Sequence, residues 1–292
     1  MNNNSNLKKI IDLFNKNNLD EALALCNKNH DISNLHIIKN LRGAIYFRQK
    51  RLDLAKQNFV EAINIDKNYL DSYRNLYLLY IANKDFKNLI IVAKKIFEMN
   101  KEDPTSHFKL AYALEMNGNL SASIQLYKSS IDKGFKDKKI VYNNLGNIYL
   151  QLDMITKSIK FFSLSLNEDQ NNKVVINNLI KAHIKNRDLH EIEKLLKKAE
   201  LIDNKYSEYL HNIAELLILK KQFDKAILIL KNLIKINNDP KYFLLLSKIF
   251  YTIGKKEIGD DLIKKTANLF PSNLSVINFK GMRDLFDGNF EN

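Results

Sequence analysis

The sequence predicts an all-α, right-handed superhelical solenoid of antiparallel helix hairpins, about eight complete repeats and an incomplete ninth. Three observations predict it. Helix breakers are scarce, with 8 Gly and 3 Pro in 292 residues that are 45% hydrophobic, a balance that favours helix and excludes a disordered chain. A pairing of small and bulky residues recurs at fixed spacing. The units so marked begin near residues 3, 36, 70, 104, 139, 173, 207, 240 and 274, so the step stays between 33 and 35 and residues 1–292 read as a single solenoid. Self-similarity at such a period is the mark of one supersecondary element stacked on itself.

In chain order, the unit from residue 3 keeps Ala22 and Cys26 behind a polar start, as a terminal capping unit should. The next sets the pattern in "LRGAIYFRQKRLDLAKQNFVEAI" (41–63): Gly43, a bulky Tyr46 three residues on, a second small residue Ala55, and Phe59 four beyond it. Two antiparallel helices approach closely where each presents a small side chain, and the bulky residue a turn later fills the space beside the crossing. The unit from 70 departs, with Tyr77 and Leu89 at the small positions. The unit from 104 returns to it with Ala111, Ser123 and Tyr127, and that from 139 repeats it as Gly146, Tyr149, Ser158 and Phe162. The unit from 173 again substitutes Ile180 and Ile192, so burial is expected there without the closest packing. Ala214, Leu217, Ala226 and Leu230 mark the unit from 207, and Ser247, Gly259 and Ile263 the unit from 240. Pro104, Pro240 and Pro271 lie at or next to the seams, where a fixed φ suits a helix start. Gly118, Gly254 and Gly288 fall in turns within hairpins, where a left-handed residue closes a helix.

This Gly-x-x-Tyr, Ala-x-x-x-Phe pattern resembles the tetratricopeptide repeat, most specifically over residues 36–69, 104–172 and 207–273. The resemblance implies that the first helix of each unit lines an inner, concave face, where this family binds extended peptides. It therefore implies a protein- or peptide-binding scaffold or adaptor. A 35-residue RNA-reading helical repeat is the competitor, disfavoured by the small-residue crossing and by the scarcity of Arg.

Catalytic constellations are missing from the sequence. "HEIEK" at 190–194 ends in Lys where a zinc peptidase needs a second His, and there is no phosphate loop, G-x-S-x-G or C-x-x-C. Asp260 and Asp261 point about 100° apart on a helix and read as solvated charges rather than a proton-sharing pair. His107 and His183 fall on packing faces. No enzyme activity, metal or cofactor is therefore expected. The single cysteine, Cys26, fits a reducing compartment. The start lacks a signal-peptide pattern and the apolar runs are too short for a membrane span, so a cytoplasmic location is expected. A net charge of +13 would ordinarily suggest nucleic acid, but 40 Lys against 6 Arg, with 39 Asn, is the bias of an AT-rich coding sequence.

The repeat register places Asn75, Asn144, Asn178 and Asn212 at one equivalent position on the first helices, with Arg74, Asn143, Asn147, Asn177, Lys181 and Lys248 around them. An Asn amide both donates and accepts, so a ladder of them could read a peptide backbone, and the cations tilt preference toward acidic ligands. The ladder resembles that of tetratricopeptide-containing O-linked glycosyltransferases. The sequence stops at "DGNFEN", inside a ninth repeat, behind an apolar helix carrying Ile277, Phe279, Met282, Leu285 and Phe286, with Phe290 beyond. Two expectations compete: a scaffold whose uncapped end self-associates, and the N-terminal substrate-recruiting part of a longer enzyme such as a protein glycosyltransferase, whose junction "KGMRDLFDGNFEN" resembles.

Overall fold

The computed structural model describes residues 3–28, 34–203 and 207–286, with side chains from residue 6 to residue 283 within those ranges. Among the described residues the structure is all helix and turn: α1 (Asn3–Asn15), α2 (Leu19–Lys28), α3 (Leu35–Arg48), α4 (Leu52–Ile65), α5 (Leu70–Ala82), α6 (Phe86–Met99), α7 (Pro104–Met116), α8 (Leu120–Asp132), α9 (Lys138–Gln151), α10 (Ile155–Glu168), α11 (Lys173–Asn186), α12 (Leu189–Ile202), α13 (Ser207–Leu219), α14 (Phe223–Ile236), α15 (Pro240–Thr252), α16 (Lys256–Leu269) and α17 (Leu274–Phe286). The helices form two compact units, Met1–Val141 and Tyr142–Asn292, with α9 crossing the boundary. In each unit, consecutive helices pair as hairpins, and the first helix of one hairpin also touches the first helix of the next, as α3 touches α5 and α11 touches α13.

The small-residue crossings hold the hairpins. A Cβ added to Gly43 would lie 2.5 Å from the Phe59 ring, and one added to Gly146 would lie 2.5 Å from the Phe162 ring. Both rings are buried against the glycine backbone. Where serine is the second small residue, it also bridges the pair: Ser123 Oγ donates to the Ala111 carbonyl at 2.8 Å and Ser158 Oγ to the Gly146 carbonyl at 2.9 Å. The departing units bury Tyr77, Leu89, Ile180 and Ile192 at the same places, so apolar burial survives without close approach.

Each complete hairpin turns on one left-handed residue: Asn17, Lys50, Lys84, Gly118, Asp153, Arg187, Lys221 and Gly254, with φ between 54° and 83°. The next N–H returns to a carbonyl five residues earlier, as Arg51 N does to Tyr46 O at 2.9 Å and Asn119 N to Leu114 O at 2.9 Å, closing the helix end. Two of the expected turn glycines therefore do their job, Gly288 lies outside the described residues, and most turns carry a side chain in a conformation that disfavours one.

Histidines 107 and 183 are buried, His107 Nε2 lying 2.7 Å from the Lys101 carbonyl. Cys26 is buried and its thiol is pushed up to about 11 by desolvation. Of the two aspartates expected in solvent, Asp261 is exposed, but Asp260 is half-buried because it accepts the Tyr251 hydroxyl at 2.6 Å and faces Arg283 at 3.6 Å. On α17, Val276 is buried while Leu274, Ile277 and Met282 are exposed; the side chains of Leu285 and Phe286, and all of Phe290, lie outside the described residues. Among the described residues no helix is long and apolar enough to cross a membrane, and no group of three or more His, Cys, Asp or Glu could hold a metal ion.

Candidate functional site

Two adjacent positions on the first helices, the fifth and sixth residues of each repeat, organise the inner faces of both units. In the first unit, Asn75 Nδ2 (α5) donates to Asn40 Oδ1 (α3) at 2.9 Å, and Ser72 Oγ donates to the same oxygen at 3.1 Å. In the second, Asn178 Nδ2 (α11) donates to Asn143 Oδ1 (α9) at 3.0 Å, and Asn212 Nδ2 (α13) to Asn177 Oδ1 (α11) at 2.9 Å. In every case the sixth residue of one repeat donates to the fifth residue of the one before, 35 residues away. The asparagines are inter-repeat struts.

Burial then separates the expected site residues. Asn212 is 0% exposed and Asn177 5%, so both amides are enclosed between helices rather than presented to an open face. Asn75, Asn143, Asn144, Asn147 and Asn178 are half-buried, Arg74 and Lys248 are exposed, and Lys181 is half-buried. Reasoning from the sequence found one half of each strut as a ladder and missed that its partner stands one repeat back. Asn40 was not singled out at all, although the spacing of 35 from Asn75 carried the signal.

Of the places where these two positions lack the Asn pair, two bring polar or charged side chains instead, one in each unit. In the first unit the two positions hold Arg74 and Lys109. Arg74 meets Asp71 at 3.1 Å, whereas Lys109 has its ammonium over the Tyr77 ring, 4.8 Å from the centroid. Desolvation and then the Arg74 charge hold the Lys109 amine below its ordinary range, so this is a cation short of countercharge. In the second unit the two positions hold His211 and Leu245. An alkyl side chain cannot answer an imidazole, and here a cavity of about 420 Å³ opens beside α13, α15 and the start of α17.

Apolar Pro240, Leu244 and Leu245 line part of this cavity; His211, Glu215, Lys241 and Lys248 supply its chemistry. Lys241 Nζ donates to Glu208 at 2.6 Å and lies 3.4 Å from Asp239, while Lys181 lies 3.7 Å from Glu208. Burial alone would raise the Glu208 carboxyl, but the Lys241 hydrogen bond and the Lys181 charge hold it below the usual range. Glu215 has no such partner. Its carboxylate lies 3.8 Å from His211 Nε2. Desolvation pushes Glu215 upward despite the lysines, and pulls His211 down to about 4, so this imidazole is neutral at pH 7. His211, Glu215 and Lys241 were missed by sequence reasoning because a histidine beside a ladder position reads as one more packing residue.

The family model of the tetratricopeptide repeat matches residues 38–69, 140–172 and 207–240. The chain carries tetratricopeptide repeats. Solved structures agree on the all-α repeat solenoid fold. A chain in the crystal structure of the APC/C hetero-tetramer Cut9–Hcn1 superposes with a TM-score of 0.62 at 15% identity, covering 89% of this chain and 52% of that one. This repeat protein thus spans about half the length of that relative. A tetratricopeptide repeat protein from Parabacteroides merdae gives 0.64 at 13% identity over 85% of this chain and 98% of its own. YrrB, described as a TPR protein with an unusual peptide-binding site, gives 0.50 at 14% identity over 63% and 94%. No curated protein matches the sequence. Tetratricopeptide repeats in general are non-catalytic interaction modules.

Proposed function

We propose that this protein is a cytoplasmic scaffold that binds extended peptide segments of partner proteins along the inner helices of its repeats. The observation that carries the reading is that Asn–Asn struts and polar or charged gaps occupy the same two positions of the first helices. Asn–Asn pairs fix neighbouring inner helices, and the interrupted positions leave side chains whose hydrogen-bonding and charge demands the fold does not meet. A buried or half-buried polar group with an unmet demand is what a ligand can satisfy with gain. Asn75, Asn143, Asn144, Asn147 and Asn178 retain surface for a peptide backbone, with Arg74, Lys181 and Lys248 as charged neighbours; Asn177 and Asn212 act behind them as supports. The acidic preference belongs to the first unit, where Arg74 and Lys109 share one stretch of inner face. YrrB, a structural neighbour described as having a peptide-binding site, lends support by likeness of fold.

Peptides selected from a random display library against the purified chain, measured by fluorescence anisotropy, test this. Changing Lys109 to Met should weaken acidic binders about tenfold, the scale of a lost charge-assisted hydrogen bond, with the melting temperature retained. Selection of no peptide at all would sink the reading. An RNA-binding role would instead show affinity falling steeply with salt.

A further inference from the structure

The cavity of the second unit asks for a ligand of definite charge. Its acids and bases are unequally satisfied. Lys241 is held by Glu208 at 2.6 Å and faces Asp239 at 3.4 Å, and Lys248 is exposed to water. Glu215 accepts no hydrogen bond among the described residues, and the imidazole 3.8 Å away is kept neutral by burial. Nδ1 of that imidazole, on a residue 9% exposed, is itself buried without a partner, and Nε2 stands too far from Glu215 to hydrogen-bond it.

We propose that this cavity takes a basic side chain of the bound peptide, its guanidinium or ammonium meeting the Glu215 carboxylate and its aliphatic stem lying on Leu244 and Leu245. The inference rests on the peptide-binding reading and deepens it at one position. An anionic occupant fits the cavity worse. It would have to approach both Glu215 and Asp239, and to draw Lys241 from two carboxylates that already hold it. A cation meets the single uncompensated acceptor instead. A guanidinium has five N–H donors in a planar fork matched to a carboxylate, and its methylenes suit an apolar wall. The cavity, about 420 Å³, lies within the range of small-ligand sites, so a long basic side chain enters it without repacking. Lys181, Lys248 and Lys241 act on Glu215 from a distance; Lys181 and Lys241 also face Glu208, which leaves Lys248 as the cation free to compete. Its ammonium sits over the Phe279 ring, 5.5 Å from the centroid, on a flexible stem that can swing into water.

The test uses the full chain and small probes, so it does not depend on finding a natural partner. N-acetyl-arginine N-methylamide is titrated while the His211 ring signals are followed by NMR, with the citrulline and glutamate analogues as controls. The expected result is a saturable shift with the arginine compound, at least about fivefold weaker with uncharged citrulline and absent with glutamate, the margin of a charge-assisted over a neutral hydrogen bond. Glu215→Gln should abolish the arginine response, and Lys248→Met should strengthen it. An equal response to citrulline, a preference for glutamate, or an unchanged response in Glu215→Gln would overturn the proposal. Library peptides that bind the chain yet show no enrichment of Arg or Lys and no sensitivity to Glu215→Gln would also overturn it, while leaving the peptide-binding reading intact.

Discussion

In the first unit Asn40 accepts from Asn75, and the next pair of positions along the inner helices is occupied by Arg74 and Lys109. In the second unit two struts run in succession, Asn143 with Asn178 and Asn177 with Asn212, before His211 and Leu245 interrupt them. The backbone register is the same in both, because every strut joins residues 35 apart. What differs is the chemistry at the gap. Two cations leave an excess of positive charge in one unit; an imidazole opposite an alkyl chain leaves a cavity and an unpaired carboxylate in the other. A repeat scaffold can therefore replace a structural strut by a cavity or a charged gap by exchanging two side chains, without altering a helix.

The largest effect that separates the units is acid sensitivity. His211 is held at about 4 against an ordinary 6.5, so the stability it confers by staying neutral is present above pH 6.5 and lost as pH falls toward 4. The full loss below that pH is about 3 kcal/mol, from 1.36 kcal/mol per unit. Glu215, raised by burial, works in the opposite direction and regains stability as it protonates; Glu208, Asp239, Lys181 and Lys241 also face the imidazole. Urea denaturation at pH 7 and pH 4 should show His211→Asn losing less stability on acidification than the parent chain. Equal losses would break the assignment.

A smaller difference is expected between the struts. Asn212→Ala removes a donor from a pair enclosed between helices and should cost about 2 kcal/mol, the desolvation penalty of the acceptor left behind. Asn75→Ala in the half-buried pair of the first unit should cost less than about 1 kcal/mol, because water replaces the lost amide. Denaturant midpoints of the two variants compare them, and a larger loss for Asn75 would reverse the ranking of burial. The smallest effect should be common to both units. Lys84→Gly in the first and Lys221→Gly in the second relieve a side chain at φ of 54° and 60°, partly offset by glycine's greater freedom in the unfolded chain, and should each raise stability by only about 0.3 kcal/mol in thermal unfolding.

The helix starts could be read from the chain because a hairpin repeat writes its geometry locally. Gly43 and Phe59, or Gly146 and Phe162, stand 16 residues apart on antiparallel helices, and their spacing alone states that the glycine lies under the ring. Pro104 and Pro240 open α7 and α15 for equally local reasons. The turns were only partly legible. Glycines 118 and 254 announced a left-handed residue, whereas Lys50, Lys84, Asp153, Arg187 and Lys221 adopt the same conformation because the hairpin leaves no other way to close. The candidate site was legible as a set of positions but not as a set of roles. Asn212 and Asn177 share the composition of surface polar residues; only the approach of α11 to α13 shows that the amide nitrogen of one is held by the amide oxygen of the other.

Sequence by itself determined the all-helical repeat, its period and the small-residue crossings, since these depend on residues within one hairpin and on the bulk of single side chains. Tertiary structure alone decided which asparagines are enclosed and which stay half-exposed, that Asp260 is bound rather than solvated, and that His211, Glu215 and Leu245 together frame a cavity. The physical reason is distance along the chain. Burial, desolvation and the pairing of hydrogen-bond donors with acceptors are set largely by neighbours on other helices, up to a whole repeat away, and a side chain's own identity fixes what it can offer but not whether a partner already holds it.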